Sequence, residues 1–546
     1  MKESFILKMF NLVTIFAGIL FALINIFHYA GEPTLGADIV SRVLPAEAHR
    51  IGLGVPYKNF WEITPPGHYI VLDVWSQFFG FSPLSIKTLH LVASILIVFL
   101  VFYTLRNVVS GVYLNISAGL IYFFLFSTRL TTFILPAEIL ASLFSIAGLA
   151  SLYYFKNYRK AIFISAFLFF FSGQVKDPFL LSGLALLPYV LFLLLKSKKD
   201  FYDGILFSVL GVISSAGINI LYLFLLGSIK DYISILNYKS IAFNVFDLSW
   251  LSENFLVHID FGKDVFFYLG YSIFLPILIL LAVTVFIKLR NKSLNLKIVS
   301  NNGQKYIKST FNSNLVEGKV WPMIFFVLGL SIGFVMQRSL GSHYYIVLVM
   351  PLIIFITLCF YYTDKKLASI KKTKWLRVLM LLFFLSFLFP KKAYFIDYNF
   401  NNILNIRFIP KLAIWADKNK VTPILDKIDT KTTKDECILD IYGWGVGTTY
   451  LYSERRPCTR FFIANLVVED WQRLEYKSNI ITNTPSAIIY NPTAGDLDYK
   501  SFEGRVINFP KILKNCYIQD SDYKTLYWPK VKADKLKMCI QENASA

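Results

Sequence analysis

Apolar runs of about 20 residues separated by short polar stretches recur through the first ~390 positions, and a helix of that length crosses the hydrocarbon of a bilayer. The pattern predicts spans at 7–29, 84–105, 112–128, 133–155, 161–174, 177–195, 204–226, 266–288, 320–337, 344–362 and 375–389, about 11 in all. All are expected to be helices, because an open strand cannot satisfy its backbone groups in lipid. The first run is too long for a secretory signal and no small-residue cleavage site follows Ala30, so it reads as a retained anchor. From about 391 onward apolar runs shorten, Asp, Asn, Lys and Pro rise, and no stretch can span.

The chain thus divides into an all-α polytopic membrane domain (1–390), with a polar loop at 31–83, and a small soluble α/β domain (391–546). In the tail, strands are expected at Cys437–Tyr442, Thr459–Ala464 and Ser486–Tyr490, with a helix near Glu469–Lys477. Composition agrees with this class: 55% hydrophobic, 17% aromatic and a mean hydropathy of +0.54 over 546 residues.

A formal charge of +20 invites a nucleic-acid reading until the cations are located. They cluster at Lys156–Lys160, Lys196–Lys199, Lys288–Lys308 and Lys365–Lys374, in alternate loops. That is the positive-inside signature, and it puts residues 31–83, 128–132, 175–176, 227–265 and 338–343 outside, together with the tail. No compact basic patch interleaved with exposed aromatics appears, so nucleic acid is not the partner. The loop Lys288–Lys319 is polar and basic, and its simplest role is topological. Cys437, Cys458, Cys516 and Cys539 lie in the tail, which permits two disulfides with three connectivities open; four buried thiols are the alternative, and Cys359 sits inside a span.

Candidate chemistry gathers at the outer ends of the spans. Asp38 opens an amphipathic helix running to about His49, with Arg42 one turn on, an arrangement that also suits an acid at a helix N-terminus. Glu62 precedes Pro65-Pro66-Gly67-His68-Tyr69, a turn that pins the backbone. Glu138, after Leu135-Pro136-Ala137, fits ordinary helix-start chemistry, yet a carboxylate at the hydrocarbon boundary must face a partner or a wet cavity. Lys176 stands between two spans, and Arg338, His343 and Tyr345 precede another; all four can meet phosphate oxygens.

Taken together these phrases resemble the GT-C-fold, lipid-linked glycosyltransferases, in the bacterial branch related to protein O-mannosyltransferases and to the lipid A aminoarabinose transferase. The resemblance rests on Asp38 followed by Gly54-Val55-Pro56-Tyr57-Lys58-Asn59-Phe60 and Pro65-Pro66-Gly67-His68-Tyr69, on Pro136-Ala137-Glu138, on Gln174-Val175-Lys176, and on His343-Tyr344-Tyr345 with Pro351. Tyr442-Gly443-Trp444-Gly445 and Ser453–Phe461 extend it weakly into the tail. Two departures stand out: Thr64 occupies the position of the family's lysine, and Ile39 follows Asp38 where an acidic pair is common.

What the resemblance implies is a multi-pass inner-membrane enzyme moving a sugar from a polyprenyl-phosphate donor to an acceptor hydroxyl of a lipid, glycan or protein outside the cytoplasm. Asp38 is then the general base of an inverting transfer, with Glu138 orienting the acceptor or holding the loop. Lys176, Arg338, His343 and Tyr345 hold the donor phosphate, and Glu62 with His258 offers a divalent metal site. Two other classes compete. A lipid or glycan flippase should show internal pseudo-symmetry and polar mid-span residues, and a non-catalytic envelope assembly factor would keep the fold and use the tail to bind a partner.

Overall fold

A computed structural model describes residues 12, 34–35, 37–109, 111, 113–115, 117, 137–195, 197–242, 298–301, 304–307, 320–335, 346–367, 414–415, 418–441, 446–462, 467, 469–490 and 508–544. Apart from Leu12, the expected span 7–29 lies outside the described residues, as do 266–288, 375–389 and most of 112–128.

The first loop is structured: β1 (Thr34–Leu35) leads into α1 (Ala37–Arg50), and α2 (Pro66–Phe79) follows the double proline. Pro66 starts α2 because a first-turn residue has no intrahelical use for its N–H and proline's φ is already helical. On the expected spans lie α3 (Pro83–Leu105), α4 (Ala137–Tyr154), α5 (Tyr158–Val175), a 3-10 stretch (Asp177–Ala185) running into α6 (Leu186–Leu194), and α7 (Lys198–Leu225). Four of these stretches, Pro83–Leu105, Ala137–Tyr154, Asp177–Leu194 and Lys198–Leu225, are long and apolar enough to cross a membrane, and Val320–Phe334 is a shorter apolar helix. Hydropathy places the start of α7 six residues late, because the Ser197 cap and the polar first turn of Lys198, Lys199 and Asp200 precede the apolar run. Helix α8 (Ile229–Ala242) occupies part of the expected loop 227–265, and a short hairpin of β2 (Ile298–Asn301) and β3 (Gln304–Ile307) lies within the basic loop 288–319. After it come α9 (Val320–Val335) and α10 (Ile346–Leu367).

Small residues set the packing between spans. Gly148 of α4 lies against the ring of Phe169 in α5, and Ser165 of α5 donates to the Gly148 carbonyl at 2.8 Å. Gly329 and Gly333, one turn apart on α9, leave room for the backbone carbonyls of Leu181 and Pro178 in the 3-10 stretch. Close approach of this kind substitutes for the hydrophobic drive that helices lack in lipid.

The tail contributes β4 (Ile414–Trp415), α11 (Lys418–Lys431), β5 (Ile438–Ile441), α12 (Val446–Ser453), α13 (Asp470–Thr482), β6 (Ala487–Tyr490), α14 (Phe509–Cys516), β7 (Tyr517–Gln519), β8 (Leu526–Pro529) and α15 (Ala533–Asn543). Its sheet has the order β5-β6-β8-β7, parallel between β5 and β6 and antiparallel elsewhere. Disulfides Cys437–Cys458 and Cys516–Cys539 select one of the three connectivities, and Cys359 is free and buried.

The strand expected at Thr459–Ala464 is not formed by residues 459–462, the part of it that is described. Cys458 is tied to Cys437, and the aromatic residues that follow leave the sheet: Phe461 meets Trp61 at 5.2 Å between ring centroids and Phe462 meets Phe60 at 5.7 Å. Their β-forming character serves a contact with the first loop instead.

That contact is extensive. Leu44, Ala48 and Phe60 of the first loop share a core with Ile438, Tyr450, Ile489 and Trp528 of the tail, while Val43 and Ala46 of α1 pack with Leu72 and Ile139. The Trp61 backbone N–H donates to the Arg460 carbonyl at 2.7 Å, and β1 pairs in parallel with β4. The first loop and the tail therefore lie together.

Candidate active site

Glu138 stands in the first turn of α4 and is completely buried. Its Oε2 lies 3.2 Å from Nη1 of Arg42 on α1, and its Oε1 lies 2.9 Å from Nζ of Lys176, the residue that ends α5. Three segments distant in sequence thus converge on one carboxylate. A buried carboxylate is costly unless paired and hydrogen-bonded, so the two cations hold α1 and the α5 terminus at the head of α4.

His68 stands beside them on α2. It has no exposed surface, and among the described residues neither ring nitrogen has a hydrogen-bond partner. Burial lowers its pKa to about 3, Arg42 and Lys176 add to the effect, and Glu138 opposes it. The imidazole is therefore neutral at physiological pH, with one donor and one acceptor nitrogen. Gly67 explains how it reaches this position: a Cβ there would lie 2.7 Å from the Gln174 carbonyl oxygen, so only glycine lets the head of α2 rest on the last turn of α5.

Asp38 lies in the first turn of α1, one turn ahead of Arg42. Arg338, His343, Tyr345 and His258 lie outside the described residues. Of the residues singled out from sequence, Glu138 and Lys176 are brought together. Arg42 and His68 join them without having been singled out as site members. Arg42 is accounted for in sequence by its nearer neighbour Asp38, and His68 is hidden inside a phrase that reads as a turn.

Glu62 is used differently. It is buried, and its Oε1 accepts from the backbone N–H groups of Ile63 at 2.9 Å and Thr64 at 3.2 Å and from the Thr64 hydroxyl at 2.9 Å. Thr64, the position at which the lysine of the resembled phrase is missing, closes this turn. Tyr57 has a left-handed φ of 69°, and it is held there by its N–H to the Phe60 carbonyl and its hydroxyl to the Thr64 carbonyl, at 2.9 and 2.8 Å. A non-glycine residue keeps that conformation only where its surroundings enforce it. Among the described residues no group of three or more His, Cys, Asp or Glu side chains could hold a metal ion.

A second polar knot borders the first. Asp73 of α2 accepts from the Tyr222 hydroxyl of α7 at 2.7 Å, and Nδ1 of His49 lies 3.4 Å from the same oxygen. Burial raises the Asp73 carboxyl, against the effect of Tyr222 and His49.

Neither a protein-family model nor a curated protein matches this sequence. Among solved structures, the chain is similar to the archaeal oligosaccharyltransferase AglB from Archaeoglobus fulgidus in complex with an inhibitory peptide and a dolichol-phosphate, with a TM-score of 0.48 and 10% identity over 98% of this chain and 77% of that one. It is also similar to ArnT from Cupriavidus metallidurans in the apo state, with a TM-score of 0.49 and 11% identity over 93% of this chain and 97% of that one. For ArnT bound to undecaprenyl phosphate the values are 0.45 and 12%, over 94% and 96%. These likenesses are distant.

Proposed function

We propose that the chain is an integral membrane glycosyltransferase that moves a sugar from a polyprenyl-phosphate carrier to an acceptor hydroxyl on the outer face of a bacterial plasma membrane. The observation that carries the reading is the buried Glu138 with Lys176 and Arg42 drawn to it, Arg42 standing one turn along α1 from Asp38. The motif resemblance of the first loop supports it.

In this reading Asp38 takes the proton of the acceptor hydroxyl as its oxygen attacks the anomeric carbon from the face opposite the phosphate. The anomeric C–O bond breaks, the configuration inverts, and polyprenyl phosphate departs with the bonding pair. Such a leaving group needs no strong general acid. It needs fixed positive charge near its oxygens, which Lys176, Arg42 and Arg338 supply, with His343 and Tyr345 as hydrogen-bond donors. Glu138 acts through these cations as a positioning residue, and Glu62 keeps the loop in shape. The resemblance also implies a divalent metal held by Glu62 and His258; His258 lies outside the described residues, Glu62 Oε1 takes three hydrogen bonds from its own turn, and Glu62 Oε2 would be the ligand atom.

The test uses the full chain in proteoliposomes with a panel of radiolabelled polyprenyl-phosphate sugars and envelope acceptors. Asp38→Asn is expected to slow transfer by ~10²–10⁴-fold, the range of general base catalysis, with an unchanged unfolding midpoint. An unchanged rate would overturn the assignment.

A further inference from the structure

We infer that His68 is a ligand-contacting residue of the transfer site, and that its imidazole N–H donates a hydrogen bond to an oxygen of the carrier's phosphate. The inference rests on the function proposed above and adds to it a residue that the resemblance does not assign.

Among the described residues His68 is the only side chain with two buried polar atoms and no hydrogen-bond partner for either. A neutral imidazole carries one donor and one acceptor nitrogen, and burying both without partners is less favourable than burying an apolar side chain of the same size. Stability therefore gives no reason for a histidine here, and a ligand does. Its place is fixed by Gly67, where an added Cβ would stand 2.7 Å from the Gln174 carbonyl oxygen and 3.1 Å from the Val175 nitrogen. That approach sets the first turn of α2 against the end of α5, where Lys176 follows. Arg42, Glu138 and Lys176 all act on the ring electrostatically.

The charges around the ring do not cancel. One carboxylate faces two cations, and α2 adds the positive end of its dipole, with no acidic residue in its first turn. Exposure is ordered in the same sense: the side chains of Arg42 and Lys176 are 13% and 17% exposed, and that of Glu138 not at all. A phosphate meets the two cations first, and as it draws these long side chains toward it, it comes within reach of the imidazole beside them. What the ring supplies differs from what they supply. Burial and the neighbouring cations keep it neutral, so it contributes a directed N–H and gives up no proton. The carrier's phosphate passes from a singly charged diester to a monoester of roughly −1.5 to −2 as the anomeric C–O bond breaks, and a hydrogen bond to its oxygens strengthens with that charge.

Binding measured without turnover tests this. The full chain is titrated with undecaprenyl phosphate, with undecaprenol and inorganic phosphate as controls, and the complexes are counted by native mass spectrometry. His68→Leu is expected to weaken binding of undecaprenyl phosphate by ~10–100-fold, the range of one hydrogen bond to a charged group. The ligand-free thermal midpoint of the same variant should equal or exceed that of the wild type, because two unpartnered polar atoms have gone. His68→Gln keeps an N–H and should recover part of the affinity; His68→Met reads the same loss if His68→Leu does not fold. Wild-type affinity in the apolar variants overturns the inference alone, as does a His68→Gln protein that binds no better than they do, which would make the shape of the ring and not its N–H the cause. A wild-type chain that binds undecaprenyl phosphate no better than undecaprenol overturns the proposed function and the inference with it. Inorganic phosphate that displaces the lipid at comparable concentration would make a free anion the ligand and overturn the assignment to the carrier.

Discussion

Arg42 and Glu138 are 96 positions apart and meet at 3.2 Å, one from the first loop and the other from the head of α4. Together with Lys176 this pair decides where α1, and hence Asp38, sits.

Removing the carboxylate leaves two cations facing each other in a poorly solvated place. Glu138→Gln is expected to destabilise the chain by about 3–5 kcal/mol, the cost of breaking a buried ion pair. Thermal unfolding in detergent measures it. Adding Lys176→Met to Glu138→Gln should recover part of the loss, because it removes one of the two cations that face the lost carboxylate. A double variant no more stable than the single one would mean that Lys176 is not coupled to Glu138.

His68 gives the fold a defined acid sensitivity. Its folded pKa of about 3 lies below the unfolded value of about 6.5, so the unfolded chain binds a proton between those limits and the folded chain does not. Stability from this group is complete above about pH 6.5 and is lost as pH falls toward 3, with a slope of about 1.4 kcal/mol per pH unit for one proton. His68→Gln should remove one proton's worth of that slope in unfolding curves between pH 4.5 and 7. An identical slope in the variant would show that the imidazole is not held neutral.

Gly67→Ala puts a methyl group 2.7 Å from the Gln174 carbonyl oxygen, in backbone that cannot swing aside as a side chain can. A loss of about 1–3 kcal/mol is expected for such overpacking, accompanied by slower transfer because the head of α2 must back away from Lys176. Unfolding and proteoliposome assays read the two effects. Full stability together with full activity would contradict the close approach.

Arg460→Ala should loosen the tail from the first loop, since it removes the bridge between Asp231 and Glu475 and the contact with the Trp61 ring. Limited proteolysis at the junction is expected to accelerate, whereas the midpoint for the spans should change little. Unchanged cleavage would place the strength of the junction in the shared apolar core alone.

Sequence pattern shows the spans through their length and α1 through its amphipathic period, because both signals are local. The capping box of Glu469 and Gln472 likewise marks the start of α13. The ion pair between Arg42 and Glu138 is not legible, since Asp38 is a nearer partner by spacing and nothing in the chain reveals a contact 96 residues away. Strands β7 and β8 escape for another reason: at three and four residues they are too short to show alternation. Thr459–Ala464 misleads because residues suited to a strand are equally suited to packing on Trp61 and Phe60.

The union of the first loop with the tail also imposes a timetable on synthesis. Trp61 hydrogen-bonds Arg460, 399 positions later by subtraction of the two residue numbers, and at ~5–20 residues per second a ribosome needs roughly 20–80 s to deliver the second partner after the first. For that interval Leu44, Ala48 and Phe60 have no apolar cover from the tail, while most of the spans have already left the ribosome. The first loop is thus among the first parts of the chain to be made and among the last to be finished.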